Sequence, residues 1–417
     1  MSETRVLVDA PWLKSGPTSR VLALLNGGGE EARVVGGAVR NALLGLAVAD
    51  IDIATTALPE EVIRRADAAG IKSVPTGIEH GTVTLVLDKH PFEVTTLRED
   101  TETFGRKAKV AFGRDWVRDA ERRDFTINGL SVDAAGRVHD YVGGLADITE
   151  RRVRFIGNPA ERIAEDYLRI LRFFRIHAAY GAGEPDRAGY LACIGGRAGL
   201  SGLSAERVRM EMLKLMTASG AAGSVVAMAD GGLLQQIIGG VAYVGSLAAM
   251  IELERKLGLP SDAMRRLGAL TVAVAEDARR VAARLRLSNA EAKALDAMAD
   301  GWWYLASMDE AAAKRLLYRV GADAYRDRLM LAWARARDGE GGDWRQMADL
   351  PQRWSAPRFP LKAADFIARG IAEGPALGHV LGIAEDAWLA AGFPLQAGAV
   401  ADIADQTVAR FTREHRL

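Results

Sequence analysis

Two kinds of hydrophobic patterning divide the chain. Up to about residue 155 the apolar positions fall in short runs bounded by turn residues, the pattern of strands. Arg33–Val35 leads into the Gly36-Gly37 turn, and Ile51–Ala54 follows after a helix-length gap. Val83–Leu87 and Phe92–Leu97 flank the turn Asp88-Lys89-His90-Pro91 and predict a hairpin; Ser131–Asp133 and Val138–Tyr141 around Ala135-Gly136 predict another. Pro59–Ala69 reads as a helix with proline in its first turn. Beyond Arg162, Ala, Leu, Arg and Glu recur at three- and four-residue spacing, punctuated by glycine, so the remainder is helical. The fold class is therefore α+β: a head with a mixed or antiparallel sheet and helices over residues 1–155, then an all-α remainder.

Composition narrows the class without naming a function. A chain of 417 residues exceeds what one compact core usually holds. Apolar residues at 49% and charged residues at 26% are ordinary for a soluble globular protein. Lys+Arg and Asp+Glu both total 54, so net charge announces no nucleic-acid partner, although a local basic stripe can bind phosphates on a neutral protein. Cys193 is the only cysteine, which excludes an internal disulfide and a cysteine-based zinc site and points to the reducing cytoplasm. Met1–Val8 carries charge where a signal peptide needs an apolar core. Gly231–Ile251 lacks charge and is long enough to span a bilayer. Gln235, Gln236 and the Gly239-Gly240 pair break it, so it reads as a buried helix–turn–helix and not as a membrane span.

The candidate chemistry begins at Asp50-Ile51-Asp52. In a strand, residues i and i+2 share a face, so the two carboxylates would stand side by side, repel each other and invite a divalent cation. Hard oxygen ligands suit Mg2+, and two such ions can activate an attacking hydroxyl and stabilise a leaving pyrophosphate. Alone, the pattern also fits a solvated turn. Upstream, Val34-Val35-Gly36-Gly37-Ala38-Val39-Arg40 reads as strand, glycine turn and helix start. Glycine lets a backbone approach phosphate closely, a helix start attracts anions, and Arg40 adds a charge-assisted contact. Two further segments carry candidate groups. Arg122-Arg123-Asp124-Phe125-Thr126-Ile127-Asn128-Gly129-Leu130 places a basic pair before a short helical run, which alone would read as a capped surface helix. Glu165–Arg175 reads as one helix with Asp166, Arg169, Arg172 and Arg175 at three-residue steps, either a ligand-reading stripe or a solvated ion-pair face.

Taken together, GGAVRNALLG…DIDIATTALPEEV, TGIEHGTVTLVL…FEVTTLR, RRDFTINGL, DYVGGLADI and IGNPAERIAEDYLRILRFFR resemble the class II tRNA nucleotidyltransferase and poly(A) polymerase family of the polymerase-β superfamily, over residues 34–180. The resemblance implies a nucleotidyltransferase head over 1–155, a neck with the base-reading helix over 156–260, and a tRNA-binding body and tail over 261–417. It implies that Asp50 and Asp52 hold Mg2+, that Gly36, Gly37 and Arg40 grip the incoming triphosphate, and that Arg123 contacts the nucleotide near its sugar and phosphates. Asp166 and Arg169 would read the base, with Arg172 and Arg175 supporting that helix or touching phosphate. Glu93 occupies a place where the superfamily often has a third carboxylate, although a strand glutamate can also simply pair with an arginine. The implied substrates are CTP and ATP, and the implied partner is the 3′ end and acceptor arm of tRNA.

Base selection follows from donor and acceptor patterns. A carboxylate only accepts hydrogen bonds and a guanidinium only donates. Cytosine and adenine both set an exocyclic amine beside an unprotonated ring nitrogen, whereas uracil and guanine reverse that order. One Asp–Arg pair therefore accepts C and A and leaves buried partners unmatched against U and G. Asn41 and Gly129 depart from the family's usual Asp and Ala; Asn41 can still hydrogen-bond, and Gly129 should cost about 1 kcal/mol of helix stability. The polar segment Glu99–Arg114 corresponds to a mobile loop in the family. In the helical remainder, Arg279, Arg280, Arg284 and Arg286, Lys314, Arg315 and Arg319, and Arg335 with Arg337 are candidate RNA contacts or solvated faces. The alternatives to CCA addition are poly(A) synthesis, partial CC or A addition, and an inactive RNA-binding relative. TGIEHGTVTLVL favours the CCA-adding members, and retention of Asp50, Asp52 and Asp166 argues against a pure binder. No oligomeric state follows from the sequence.

Overall fold

The computed structural model describes residues 10–104, 107–336 and 343–414, with the backbone alone for residues 99–111. Met1–Val8 and Arg337 lie outside the described residues. The chain forms two compact units, Met1–Val244 with Ala283–Leu287, and Gly245–Ala282 with Ser288–Leu417. Residue 155 therefore marks a change from sheet to helix inside one unit, and residue 260 falls inside the other.

The first unit is built on a sheet of seven strands: β1 (Ala32–Val35), β2 (Asp52–Thr55), β3 (Lys72–Gly77), β4 (Thr82–Leu87), β5 (His90–Thr96), β8 (Ser131–Val132) and β9 (Val138–His139), in the order β3-β4-β5-β2-β1-β8-β9. β1 is buried along its length and runs antiparallel to β2 and β8, while β2 runs parallel to β5. The predicted hairpin between β4 and β5 closes through Asp88 and Lys89, both at positive φ, the geometry of a tight two-residue turn. β3 escaped the sequence pattern because it is an edge strand with a half-exposed, polar face, a proline at position 75 and a shifted register between Val74 and Gly77. The Glu99–Arg114 segment departs from the loop expectation: β6 (Arg98–Phe104) and β7 (Lys107–Phe112) pair as an antiparallel ribbon separate from the main sheet. A ribbon outside the main sheet gives no alternation signal to read. Residues 105–106 at its tip are outside the described residues.

Helices complete this unit. Leu168–Tyr180 buries Leu168, Ile170, Leu171, Phe173 and Phe174, and its Phe173 ring stacks on Phe155, which packs on Phe125 at 4.9 Å. Phe125 and Phe155 also share an isolated β-bridge. This aromatic column ties the Arg122–Leu130 segment to the long helix. Gly129 belongs to that packing. A Cβ there would stand 2.6 Å from Val142 Cγ2, so the small residue makes room for a neighbour and is not a defect in a helix, as the sequence reading held; the local helix is only the single 3-10 turn Thr126–Asn128. The charge-free stretch at 231–251 breaks into Leu233–Ile238 and Val244–Lys256 at Gly239, which sits at φ +66°. Among the described residues no helix is long and apolar enough to cross a membrane.

Among its described residues the second unit carries helices and no strand. Leu305, Leu317, Tyr325 and Leu329 form one apolar cluster, and Phe366, Val380, Ala384 and Ala404 another. Glu254, almost fully buried, accepts from Arg265 and Arg266, and Arg265 also reaches Asp327 at 2.8 Å.

Candidate active site

Sheet order places the carboxylates. β2 and β5 are far apart in the chain yet adjacent and parallel, and their register sets Asp52 beside Glu93. Registered neighbours on adjacent strands project to one face, about 4.8 Å apart between strands. Asp50 lies just before β2, so the pair is not i, i+2 within a strand, as the sequence reading held; only Asp52 belongs to it. Among the described residues none of Asp50, Asp52 and Glu93 makes an ion pair, and no three acidic or imidazole side chains close a ready-made cage for a metal. The electrostatic strain is visible at Asp52. Partial desolvation by the cleft wall, then the like charge of Glu93, raise its pKa above the usual aspartate value, with Asp50 adding to the rise and Arg123 opposing it. Uncompensated, mutually repelling oxygen donors fit a hard divalent cation.

Asp52 stands on the wall between two cavities. One, of about 480 Å3, is lined by Gly36, Gly37, Arg40, Arg123, Asp166, Arg169, Arg172 and Arg175, all eight nucleotide-binding candidates. The other, about 450 Å3, presents Asp50, Asp52 and Glu93 beneath a partly apolar wall that includes Trp12, Pro91 and Phe92.

In the first cavity Gly36 takes φ +70°, which favours glycine. A Cβ there would lie 3.3 Å from Arg123 Nη1, so the missing side chain lets Arg123 close on the turn. The following helix, Gly37–Leu43, is short, and the cationic character comes chiefly from arginine. Six arginines against three aspartates line the cavity, which favours a polyanionic ligand. Arg40 is buried. Its Nη1 donates to Asn128 Oδ1 at 2.5 Å, its Nε and Nη2 donate to Asn41 Oδ1, and its guanidinium lies 3.7 Å over the Tyr180 ring. Asn41 thus does hydrogen-bond, as expected. Burial lowers the Arg40 pKa, with Arg175 and Arg172 pushing the same way and Asp124 opposing.

The Glu165–Arg175 segment differs from the one continuous helix expected. Pro159–Glu165 ends at Asp166, whose backbone is extended (φ −154°, ψ 106°), and Leu168–Tyr180 begins after it. Asp166 Oδ1 accepts from the Leu168 N–H, and Oδ2 accepts from Arg207 Nη2 at 2.6 Å. A carboxylate suits a helix start, where it meets unpaired backbone N–H groups, and a mid-helix position would offer none. Arg169 donates to Glu165 and to the Arg162 carbonyl, Arg172 to Asp124 (Nε–Oδ2 2.8 Å), and Arg175 to Glu211 at 2.5 Å. Arg123 is held by Asp119 at 3.0 Å, and Arg162 anchors that segment by donating to the carbonyls of Arg122 and Arg123. Burial alone would raise the Asp124 carboxyl; Arg172, the Asn128 amide and the Phe125 N–H outweigh it and lower its pKa. Arg207, Asp124, Asn128 and Glu211 were not singled out from the sequence. Asp124 and Asn128 stood inside the quoted RRDFTINGL segment, whereas nothing local marked Arg207 or Glu211.

The basic runs of the helical remainder are largely occupied internally. Arg280 pairs with Asp277, Arg284 donates to the Ile237 carbonyl, Arg286 pairs with Glu206, Lys314 with Glu310 and Arg319 with Asp386, while Arg335 lies over Trp302.

Comparison with known proteins agrees with this geometry. Residues 32–154 match the Poly A polymerase head domain, and residues 197–243 match a probable RNA and SrmB-binding site of polymerase A. The mitochondrial CCA tRNA nucleotidyltransferase 1 of Mus musculus is 33% identical over 376 residues, 88% of this chain and 84% of its own. That of Danio rerio is 33% identical over 86% of this chain and 83% of its own. A crystal structure of the Bacillus stearothermophilus CCA-adding enzyme with CTP shares the fold at TM-score 0.73 and 24% identity, covering 97% of this chain and all of the other. The mitochondrial designation of the first two overturns the cytoplasmic placement inferred from the sequence. A single cysteine excludes an internal disulfide and does not say in which compartment the protein resides. With relatives a third identical along most of both chains, and the head-domain match over the carboxylate sheet, the chain belongs to the class II tRNA nucleotidyltransferase (CCA-adding enzyme) and poly(A) polymerase family.

Proposed function

We infer that the protein adds C, C and then A to the 3′ end of tRNA, using CTP and ATP and no nucleic-acid template. The observation that carries this is the single arginine-rich cavity that gathers Gly36, Gly37, Arg40, Arg123, Asp166, Arg169, Arg172 and Arg175 and has Asp52 on its wall. Gly36, Gly37, Arg40 and Arg123 take the triphosphate, while Asp166 and Arg169 face the Watson–Crick edge of the base. Arg207 holds the Asp166 carboxylate in place, leaving lone pairs for an exocyclic amine. Arg172 and Arg175, tied to Asp124 and Glu211, keep the helix in register with the head.

Asp50, Asp52 and Glu93 would hold Mg2+, two ions in this reading. Bound there, such an ion would supply charge neutralisation at the α-phosphate and a more acidic attacking hydroxyl. The second cavity, across Asp52 from the triphosphate, gives the RNA 3′ hydroxyl an approach opposite the leaving pyrophosphate. The neck and body, residues 156–260 and 261–417, are then the surfaces that meet the acceptor arm.

The test offers tRNA transcripts ending at the discriminator base, at C or at CC, with each nucleoside triphosphate separately. Ordered addition of C, C and A followed by a stop is expected. Long A tails on arbitrary RNA would establish poly(A) synthesis instead, and addition halting at CC or limited to A would establish a partial enzyme.

A further inference from the structure

We propose that Tyr180 is a positioning residue that sets the plane of Arg40 and so ties triphosphate binding to the base-reading helix. The inference rests on the nucleotidyl-transfer reading above and goes beyond it, because Tyr180 lies outside the residues that line the cavity.

Four observations meet at this ring. First, Tyr180 is the last residue of the helix that carries Arg169, Arg172 and Arg175. Positions 169, 172, 176 and 180 follow one another by three or four residues, so Tyr180 extends the helix face on which Arg169, Arg172 and Ile176 line the cavity. Second, the Arg40 guanidinium carbon lies over its ring, 3.7 Å from the ring centroid. Third, Arg40 is already fixed at its edges by Asn41 and Asn128. Those contacts use three of the five guanidinium N–H groups and leave one on each Nη. Hydrogen bonds along the edges restrain the group in its own plane; the ring beneath restrains its tilt. Only with both do the remaining donors keep a fixed direction under the Gly36-Gly37 turn, where a Cβ on Gly37 would lie 3.5 Å from Nη2. Fourth, the backbone that carries the ring is anchored. The helix stops at Gly181, whose N–H donates to the His177 carbonyl at 2.8 Å, and a Cβ at 181 would stand 2.3 Å from His177 Nδ1. Immediately beyond, Ala182 N–H donates to the Arg151 carbonyl, and Gly220 N–H donates to the Ala178 carbonyl, pinning the helix end on two sides.

The physical consequence is mechanical coupling. Any shift of the base-reading helix along its axis moves the ring under Arg40, and any re-aiming of Arg40 by phosphate presses on the helix end. A desolvated cation–aromatic contact is strong enough to matter for affinity and weak enough to leave the fold intact.

The experiment compares Tyr180→Phe and Tyr180→Leu in the full-length chain, with Tyr180→Met replacing the leucine variant if that one does not fold. Steady-state addition to a tRNA ending in CC or in the discriminator base is measured with ATP or CTP varied. Loss of the ring is expected to raise KM for both nucleotides roughly ten-fold, with kcat within about two-fold and the tRNA KM unchanged. The phenylalanine variant, which keeps the aromatic face, should restore KM to within about three-fold of wild type. Inhibition by inorganic tripolyphosphate reads the phosphate grip without a base, and its Ki should rise by the same factor as KM. In an Arg40→Lys background the leucine change should add less than about two-fold, because the two residues act through each other. An unchanged KM in the leucine variant, an unchanged tripolyphosphate Ki, or fully multiplicative effects with Arg40→Lys would each overturn the proposal. A wild-type protein that adds neither C nor A would instead overturn the functional reading on which it rests.

Discussion

The carboxylate edge of the sheet and the arginine helix that faces it solve opposite electrostatic problems. At the sheet edge, Asp50, Asp52 and Glu93 stand together without an ion pair among the described residues, and partial burial, then the like charge of Glu93, raise the Asp52 pKa. On the helix and at the break before it, the named charges already have partners: Asp166 with Arg207, Arg169 with Glu165, Arg172 with Asp124 and Arg175 with Glu211. The first arrangement is stable only in company and leaves room for a cation. The second stands by itself, and a nucleotide entering there must share or replace existing partners, which is where selectivity between bases can arise.

Breaking each side should therefore look different. The largest effect is expected for Asp52→Ala: incorporation falls by roughly three orders of magnitude or more, since charge stabilisation at the reacting phosphate is lost. RNA retention in a filter-binding assay should be nearly unchanged; undiminished turnover would refute the assignment. Asp166→Ala should act on choice and not on chemistry, relaxing discrimination against UTP by roughly 10- to 100-fold as measured by competing incorporation, because the unmatched-partner penalty disappears. Intact discrimination would remove Asp166 from base reading. Asp124→Asn leaves Arg172 without its carboxylate in a half-buried setting, and chemical denaturation should show a loss of about 2 kcal/mol.

The smallest effect tests the comparison most directly. The folded chain keeps a proton on Asp52 to higher pH than the unfolded chain does. Its favourable contribution is therefore complete below the ordinary value of 3.8 and is lost as pH rises through the higher folded value. Asp52→Asn should accordingly raise the Tm slightly at neutral pH in the presence of a chelator, and the gain should vanish below pH 3.8. Asp124 has the reverse sign: its lowered pKa contributes stability above 3.8 that disappears as pH falls through the folded value. The destabilisation by Asp124→Asn should thus shrink in acid. Parallel slopes for the two variants would show that the two regions do not differ as described.

Several parts of this site were legible from residue order alone. The glycine turn with Arg40, the hairpin at Asp88-Lys89 and the helical remainder rest on local geometry: a positive φ, an alternation, a three- or four-residue spacing. Local spacing misleads at two points. It puts Asp50 in the strand with Asp52, and Asp166 inside a continuous helix, because periodicity does not register a one-residue strand start or a break at which a carboxylate accepts from the first N–H of the next helix. Gly129 looked like a helix defect until Val142, distant in sequence, explained it.

What the sequence determined by itself was the chemical inventory and its local spacing: paired aspartates, a phosphate-sized turn, and arginines in step along a helix, enough to imply the family and its substrates. Tertiary structure alone decided who meets whom. Parallel pairing of β2 with β5, across the intervening β3 and β4, set Glu93 beside Asp52. Folding of the helices brought Arg207 to Asp166, 41 residues away, and Tyr180 under Arg40. Such contacts depend on strand order and helix packing, which no local periodicity encodes, and they turn an inventory of charged groups into a cavity with one carboxylate edge and one arginine-rich wall.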